Sequence, residues 1–128
     1  MKQTLRLAAA AALVLFALPS LALDKIPYTN EKFKVAQAAG QPILVHIWAS
    51  WCPTCKAQGP VLEKLTAKPE YKGLTVFEVN FDTQKDAVKQ FAATKQSTLI
   101  AFRGSRETSR SVGQTAEDAI ESVVKSAF

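Results

Sequence analysis

The sequence is poor in the residues that most often carry chemistry, with two cysteines, one histidine and one methionine among 128 residues. The basic residues are scattered, with no dense Lys/Arg run and no aromatics interleaved among them, so the footprint of a nucleic-acid binder is absent. No internal repeat, low-complexity tract or Gly/Ser linker interrupts residues 23 to 128, which excludes a repeat array and reads as one continuous domain. Beyond the first residues, no apolar run is long enough to span a bilayer.

What is present begins with MKQTLRLAAAAALVLFALPSLA, a positive start at Lys2 and Arg6 followed by an apolar stretch from Leu7 to Leu18. This pattern reads as a secretory signal over residues 1–22, with Ser20 and Ala22 as the small residues before a cleavage point. A retained membrane anchor is the competing reading, although the run is shorter than the ~20 residues a spanning helix needs. Cleavage leaves 106 residues, enough for one core, and lowers the net charge from +5 to +3. The expected location is periplasmic or secreted.

The mature region alternates between patterns. Thr29 or Asn30 caps a first helix with Phe33, Val35, Ala36 and Ala39 as its stripe, ended by Gly40 and Pro42. Ile43 to Trp48 is apolar except for His46, as expected of a central strand covered on both faces. A second helix starts at Pro53, a residue suited to the first helical position, and carries Pro60 inside it. Leu74 to Phe81 reads as a strand, and a third helix runs from Asp82 or Thr83 to about Thr94 with Ala87, Val88, Phe91 and Ala92 on one face. Thr98–Arg103 and Thr108–Val112 form a hairpin around Gly104-Ser105-Arg106. A last helix begins at Thr115, with Asp118 completing a short capping box and Ile120, Val123 and Val124 inward. The order implies an α/β fold, a small mixed sheet with helices on both faces.

Cys52 and Cys55 stand two residues apart in Trp51-Cys52-Pro53-Thr54-Cys55. A bridge closing so small a loop restricts the unfolded chain far less than a long-range one, so a redox role explains the pair better than a structural one. Thiol–disulfide exchange needs one sulfur that is readily a thiolate and a second that frees it from a mixed disulfide. At a helix start, backbone N–H groups and the helix dipole favour the Cys52 thiolate. Cys52 is therefore the candidate nucleophile and Cys55, one turn further in and less exposed, the candidate resolving thiol.

The run ILVHIWASWCPTCKAQGP resembles the active-site segment of the thioredoxin family in its apolar strand, Trp48, Ala49, Trp51, both cysteines, Lys56 and Pro60. Val79, Asn80, Asp82, the run Thr98 to Phe102, and Gly113 extend the resemblance over nearly all of residues 28 to 127. It implies the thioredoxin fold, a central mixed sheet of about four strands. The pair Pro53-Thr54 is similar to that of thioredoxin-like reductases of cytochrome c maturation, which suggests reduction rather than oxidation. Trp51, Pro53 and Thr54 become candidate substrate contacts; Trp48 and Trp51 are expected to pack around the active site, Trp51 partly exposed, with a role as plain core aromatics the alternative.

Three positions depart from the family pattern. His46 stands where a buried acid is usual, and Glu78 where the neighbouring strand commonly has lysine, so the charges look exchanged. Together they are a candidate proton relay for the resolving thiol, and a histidinium there would lower thiol pKa values. The alternative is a neutral core histidine bonded to a backbone group. Ser97 replaces a cis proline that faces the disulfide and shapes the substrate groove. A non-proline cis bond costs ~2.5–4 kcal/mol, so the Gln96-Ser97 bond is expected to be trans, with a rearranged loop. Ser97 is then either a plain loop residue or, with Gln96 and Thr98, a source of backbone groups for an extended substrate.

The expected activity is that of an extracytoplasmic protein-disulfide oxidoreductase acting on protein thiols and disulfides, more as a reductase. It needs no cofactor beyond its own disulfide, acts as a monomer and draws electrons from a membrane thiol donor, as the resemblance implies. A metal-binding module, for Zn or Cu(I), is the alternative use of C-x-x-C. It requires two further zinc ligands, and His46 lies in a strand expected to be buried, so two chains would have to share the ion.

Overall fold

Alternation along Pro42–Trp48, strand β2 of the fold, decides the architecture, because both of its faces are covered. Ile43, Val45 and Ile47 belong to one apolar layer and Leu44 to the other, on the side His46 shares. The computed structural model describes residues 25–128, so the leader expected at residues 1–22 lies outside the described residues. Within them the elements are β1 (Lys25–Pro27), α1 (Asn30–Ala38), β2, α2 (Pro53–Thr66), a 3₁₀ turn (Pro69–Tyr71), β3 (Thr75–Asn80), α3 (Lys85–Gln90), β4 (Thr98–Arg103), β5 (Arg106–Val112) and α4 (Glu117–Lys125).

The sheet has five strands rather than about four, in the order β1-β3-β2-β4-β5. The additional strand, β1, pairs parallel to β3 over three residues, too short for any periodicity to announce it. Strand β2 is central as expected, parallel to β3 and antiparallel to β4, and β4 and β5 form the hairpin. That hairpin is tighter than expected: Arg103 pairs with Arg106 across Gly104-Ser105, and a bulge between Ala101 and Phe102 absorbs the extra residue. Gly104 has φ +58°, and a Cβ there would lie 3.3 Å from the Gly40 Cα, so both turn and packing call for glycine.

Helices α1 and α3 cover one face around a cluster of edge-on aromatic rings, Tyr28, Phe33, Phe77, Phe91 and Phe102. Helices α2 and α4 cover the other through Leu62, Leu65, Ile120, Val123 and Val124. Thr29 caps α1, its hydroxyl accepting the Lys32 N–H at 3.2 Å. Val35 is 70% exposed and leaves the stripe, because only Phe33 and Ala36, one turn apart, face the sheet.

Two expected helix starts move. Helix α3 begins at Lys85, not at Asp82 or Thr83, because Asn80 Oδ1 takes the N–H groups of both Asp82 and Thr83 in a turn that competes with the helix. It ends at Gln90, before Ala92 turns to φ +49°. Helix α4 has Ala116, not Thr115, at its N-cap, and the Asp118 carboxylate accepts the adjacent Ala119 N–H instead of closing a capping box. Among the described residues, no helix is long and apolar enough to cross a membrane.

Candidate active site

Helix α2 starts immediately after Cys52 because the residues at its head suit a helix start: Pro53 needs no N–H partner in the first turn, and Cys52 is extended at the N-cap. The Cys52 sulfur accepts the Cys55 backbone N–H at 3.1 Å, the bond a Ser or Asp cap would make. Cys52 and Cys55 form a disulfide, with Cα atoms 5.3 Å apart. Ala49, Trp48 and Phe81 pack around the pair. The N–H groups and dipole of a fourteen-residue helix therefore converge on Cys52 rather than Cys55.

One expectation about the pair is corrected. Cys55 is not the less exposed partner: in the disulfide Cys52 is 1% and Cys55 6% exposed. The packing of Trp48 and Phe81 over the pair accounts for the burial of Cys52, while Cys55 reaches a neighbouring cleft. Exposure does not single out Cys52, whereas the bond from the Cys55 N–H does.

Trp51 is 56% exposed, and its indole Nε1 donates to Asp82 Oδ2 at 2.8 Å, which holds the ring at the rim of the site. Pro53 is exposed and Thr54 half-buried beside it. These three candidate substrate contacts share one surface with the cysteine motif.

A cleft of about 370 Å³ opens beside the pair, lined by His46, Trp48, Ala49, Ser50, Cys55, Lys56 and Glu78. His46 and Glu78 are register partners on parallel strands, so the resemblance-based pairing of positions is met geometrically. The bond between them is not. His46 Nε2 lies 3.1 Å from Gln58 Oε1, and its buried Nδ1 has no hydrogen-bond partner among the described residues. Burial pushes the His46 pKa down from 6.5 to about 4, with the Gln58 bond opposing and the Lys25 charge assisting that shift. His46 is therefore neutral near pH 7, and a histidinium that lowers thiol pKa values is excluded as its resting state. The bonded partner of this neutral histidine is the Gln58 side chain, not the backbone group expected of a core histidine.

Ser97 is buried at φ +55°, and the described chain has no cis peptide bond, so the Gln96-Ser97 bond is trans as expected. The proposed offer of backbone groups is corrected in part. The Ser97 carbonyl accepts the Gly113 N–H at 2.9 Å and Gln58 Nε2 at 3.2 Å, so it is occupied internally. Thr98 is buried in the sheet between Ile47 and Val112, and the Ser97 hydroxyl bonds the Gln96 carbonyl at 2.6 Å, so of the three only Gln96 is half-buried rather than buried.

Gln58 is the residue that reading the sequence missed. It is fully buried; its oxygen faces His46, and its nitrogen donates to the Ser97 carbonyl and to the Gln114 carbonyl at 2.9 Å. The signal was a polar residue inside the buried stripe Cys55, Gln58, Leu62, Leu65 of α2, where a lone amide has to find partners. The metal-binding alternative finds no support: among the described residues no group of three or more His, Cys, Asp and Glu side chains is placed to hold a metal ion.

Comparison with known proteins agrees with this geometry. The thioredoxin family model matches residues 24–126. The chain is 32% identical over 93 residues to a thioredoxin of Alicyclobacillus acidocaldarius, covering 73% of this chain and 88% of that one. To a thioredoxin of Mycobacterium tuberculosis it is 34% identical over 83 residues, 65% of this chain and 71% of the relative. Among solved structures, Trxlp from Edwardsiella tarda superimposes with a TM-score of 0.75 at 47% identity, over 77% of this chain and 95% of that one. The chain belongs to the thioredoxin family and is a thioredoxin-like thiol–disulfide oxidoreductase, with Cys52 and Cys55 fitting the family's C-x-x-C active site.

Proposed function

We propose that this oxidoreductase works outside the cytoplasm on protein disulfides, as a reductase. The observation that carries the chemistry is the hydrogen bond from the Cys55 N–H to the Cys52 sulfur at the head of α2, which supports Cys52 as the sulfur better stabilised as a thiolate. The leader-like sequence at residues 1–22 supports export. The exposed Trp51 and Pro53 support a protein-sized substrate, since they give a docking surface beside the sulfurs.

In the reducing direction the Cys52 thiolate attacks a substrate disulfide, forming a mixed disulfide and releasing one substrate thiolate. Cys55 then loses its proton, with His46 as acceptor, and its thiolate attacks the Cys52 sulfur. That breaks the bond to substrate and releases the second thiolate. The substrate gains two electrons and two protons, and Cys52–Cys55 becomes a disulfide. A membrane thiol donor recharges the pair, the protein acts as a monomer, and no cofactor beyond the disulfide is needed. Glu78, which lines the same cleft beside His46, is its partner in this reading.

The test is to trap partners with Cys55→Ala in living cells and identify them. Capture of a membrane dithiol donor supports the reductase, whereas capture of a quinone-linked oxidase contradicts it.

A further inference from the structure

We propose that Gln58 is a positioning residue for this reaction: it fixes the His46 proton on Nε2, leaves Nδ1 as the acceptor for the Cys55 proton, and clamps the Ser97 loop to helix α2. The proposal rests on the assignment of Cys52 as nucleophile and Cys55 as resolving thiol.

Gln58 has two N–H donors and one carbonyl oxygen. Its nitrogen lies 3.2 Å from the Ser97 carbonyl oxygen and 2.9 Å from that of Gln114, both of which only accept. The amide orientation is therefore determined by its partners, and Oε1 must be the atom facing His46 Nε2 at 3.1 Å. Since Oε1 only accepts, the Nε2 atom carries the hydrogen, because the other tautomer would set two acceptors against each other. A neutral His46 then has its free lone pair on Nδ1, the buried atom with no partner among the described residues.

The surroundings suit a proton acceptor. Cys55 and Lys56 from α2 and Glu78 from β3 line the same cleft as His46. Lys25 of β1 opposes its protonation, and from β4 the register partner is the apolar Leu99. A Cys55 thiolate forming in that cleft is the negative charge that favours protonation of His46, so proton transfer and thiolate formation support each other. The Cys55 proton passes through the shared cleft to Nδ1, the Cys55–Cys52 bond forms as the Cys52–substrate bond breaks, and the departing substrate thiolate takes up the proton that His46 releases. The other half of the amide ties this arrangement to the loop, because the same nitrogen bonds Ser97, held at φ +55°.

The test uses the reduced full chain, wild type, Gln58→Met and Gln58→Glu. Long-range proton–nitrogen NMR of the His46 ring is expected to show the Nε2–H tautomer in wild type near pH 7 and mixed tautomers in Gln58→Met. Stopped-flow kinetics with a protein disulfide should give Gln58→Met a resolution step slowed about ten- to hundred-fold, less than the roughly 10²–10⁴-fold of losing a positioned proton acceptor outright, and an attack step within about twofold of wild type. Gln58→Glu, which keeps an oxygen for His46 but loses both N–H donors to the Ser97 and Gln114 carbonyls, should keep the hydrogen on Nε2 while lowering the urea midpoint. An Nδ1–H tautomer in wild type, an unchanged resolution rate in Gln58→Met, or an equal loss in both steps would overturn the proposal. A wild-type protein that forms no Cys52 adduct would overturn the redox assignment and the proposal with it, a result distinct from any loss confined to the variants.

Discussion

His46 and Glu78 occupy paired positions on adjacent parallel strands and line the same cleft, yet it is Gln58, not Glu78, that receives the His46 hydrogen bond. The imidazole is enclosed by β2, its neighbours and α2, and burial penalises its charged form more than the Gln58 oxygen favours it. The site thus has a neutral base beneath the cysteines instead of a buried charge.

That neutrality makes stability depend on pH. Because the folded-state pKa of about 4 lies below the ordinary 6.5, the unfolded chain binds the His46 proton first as pH falls. The contribution, on the order of 3 kcal/mol, is full above pH 6.5, declines as pH drops toward about 4, and is constant below that. Urea denaturation at pH 7 and at about pH 4.5 should show this loss in wild type and a smaller one in His46→Gln, which does not titrate. Equal losses in the two proteins would contradict the burial argument.

Restoring proline at position 97 should harm this protein even though the family pattern has it there. Ser97 sits at φ +55°, whereas proline is held near −65°, so the loop that presents its carbonyl to Gly113 and Gln58 has to be rebuilt. Ser97→Pro is expected to lower stability by about 2 kcal/mol or more, read from the urea midpoint. An unchanged or higher midpoint would show that the loop tolerates the proline geometry.

The rim should separate binding from stability. Trp51 is mostly exposed and tied to Asp82, so Trp51→Ala is expected to change stability by no more than about 1 kcal/mol. Its removal takes an aromatic anchor from the docking surface, and kcat/KM for a protein disulfide should fall several-fold with a small disulfide reagent little affected. Parallel losses on both substrates would place Trp51 in the chemistry rather than in docking.

Two threonines that look alike in the sequence should behave differently. Thr29→Ala removes an observed cap and is expected to cost about 1 kcal/mol. Thr115→Ala removes no cap, since Ala116 holds that position, and should stay within about 0.5 kcal/mol of wild type. Denaturation midpoints of the two variants check the pair.

The contrast shows what the sequence carried and what it did not. The unbroken apolar run around His46 placed the central strand, and Cys52 with Pro53 placed the start of α2, because those signals are local and strong. Strand β1 was invisible because three residues owe their extended form to pairing with β3 rather than to pattern. The start of α3 depended on which N–H groups the Asn80 side chain captured. Around the site, the His46 and Glu78 positions were legible but not their bonding, because the partner came from Gln58 on another element. Long-range hydrogen bonds of this kind, including those to Ser97 and Gln114, leave no periodic trace.

The central claim is that Cys52 attacks and Cys55 resolves. With only these two cysteines in the chain, a mixed disulfide with a substrate has two addresses. Mass spectrometry of the adduct formed by reduced Cys55→Ala and by reduced Cys52→Ala with a protein disulfide tests the claim most directly. The account predicts rapid accumulation of a stable adduct on Cys52 in the first variant and little adduct in the second. Equal or faster adduct formation through Cys55 in Cys52→Ala would contradict it.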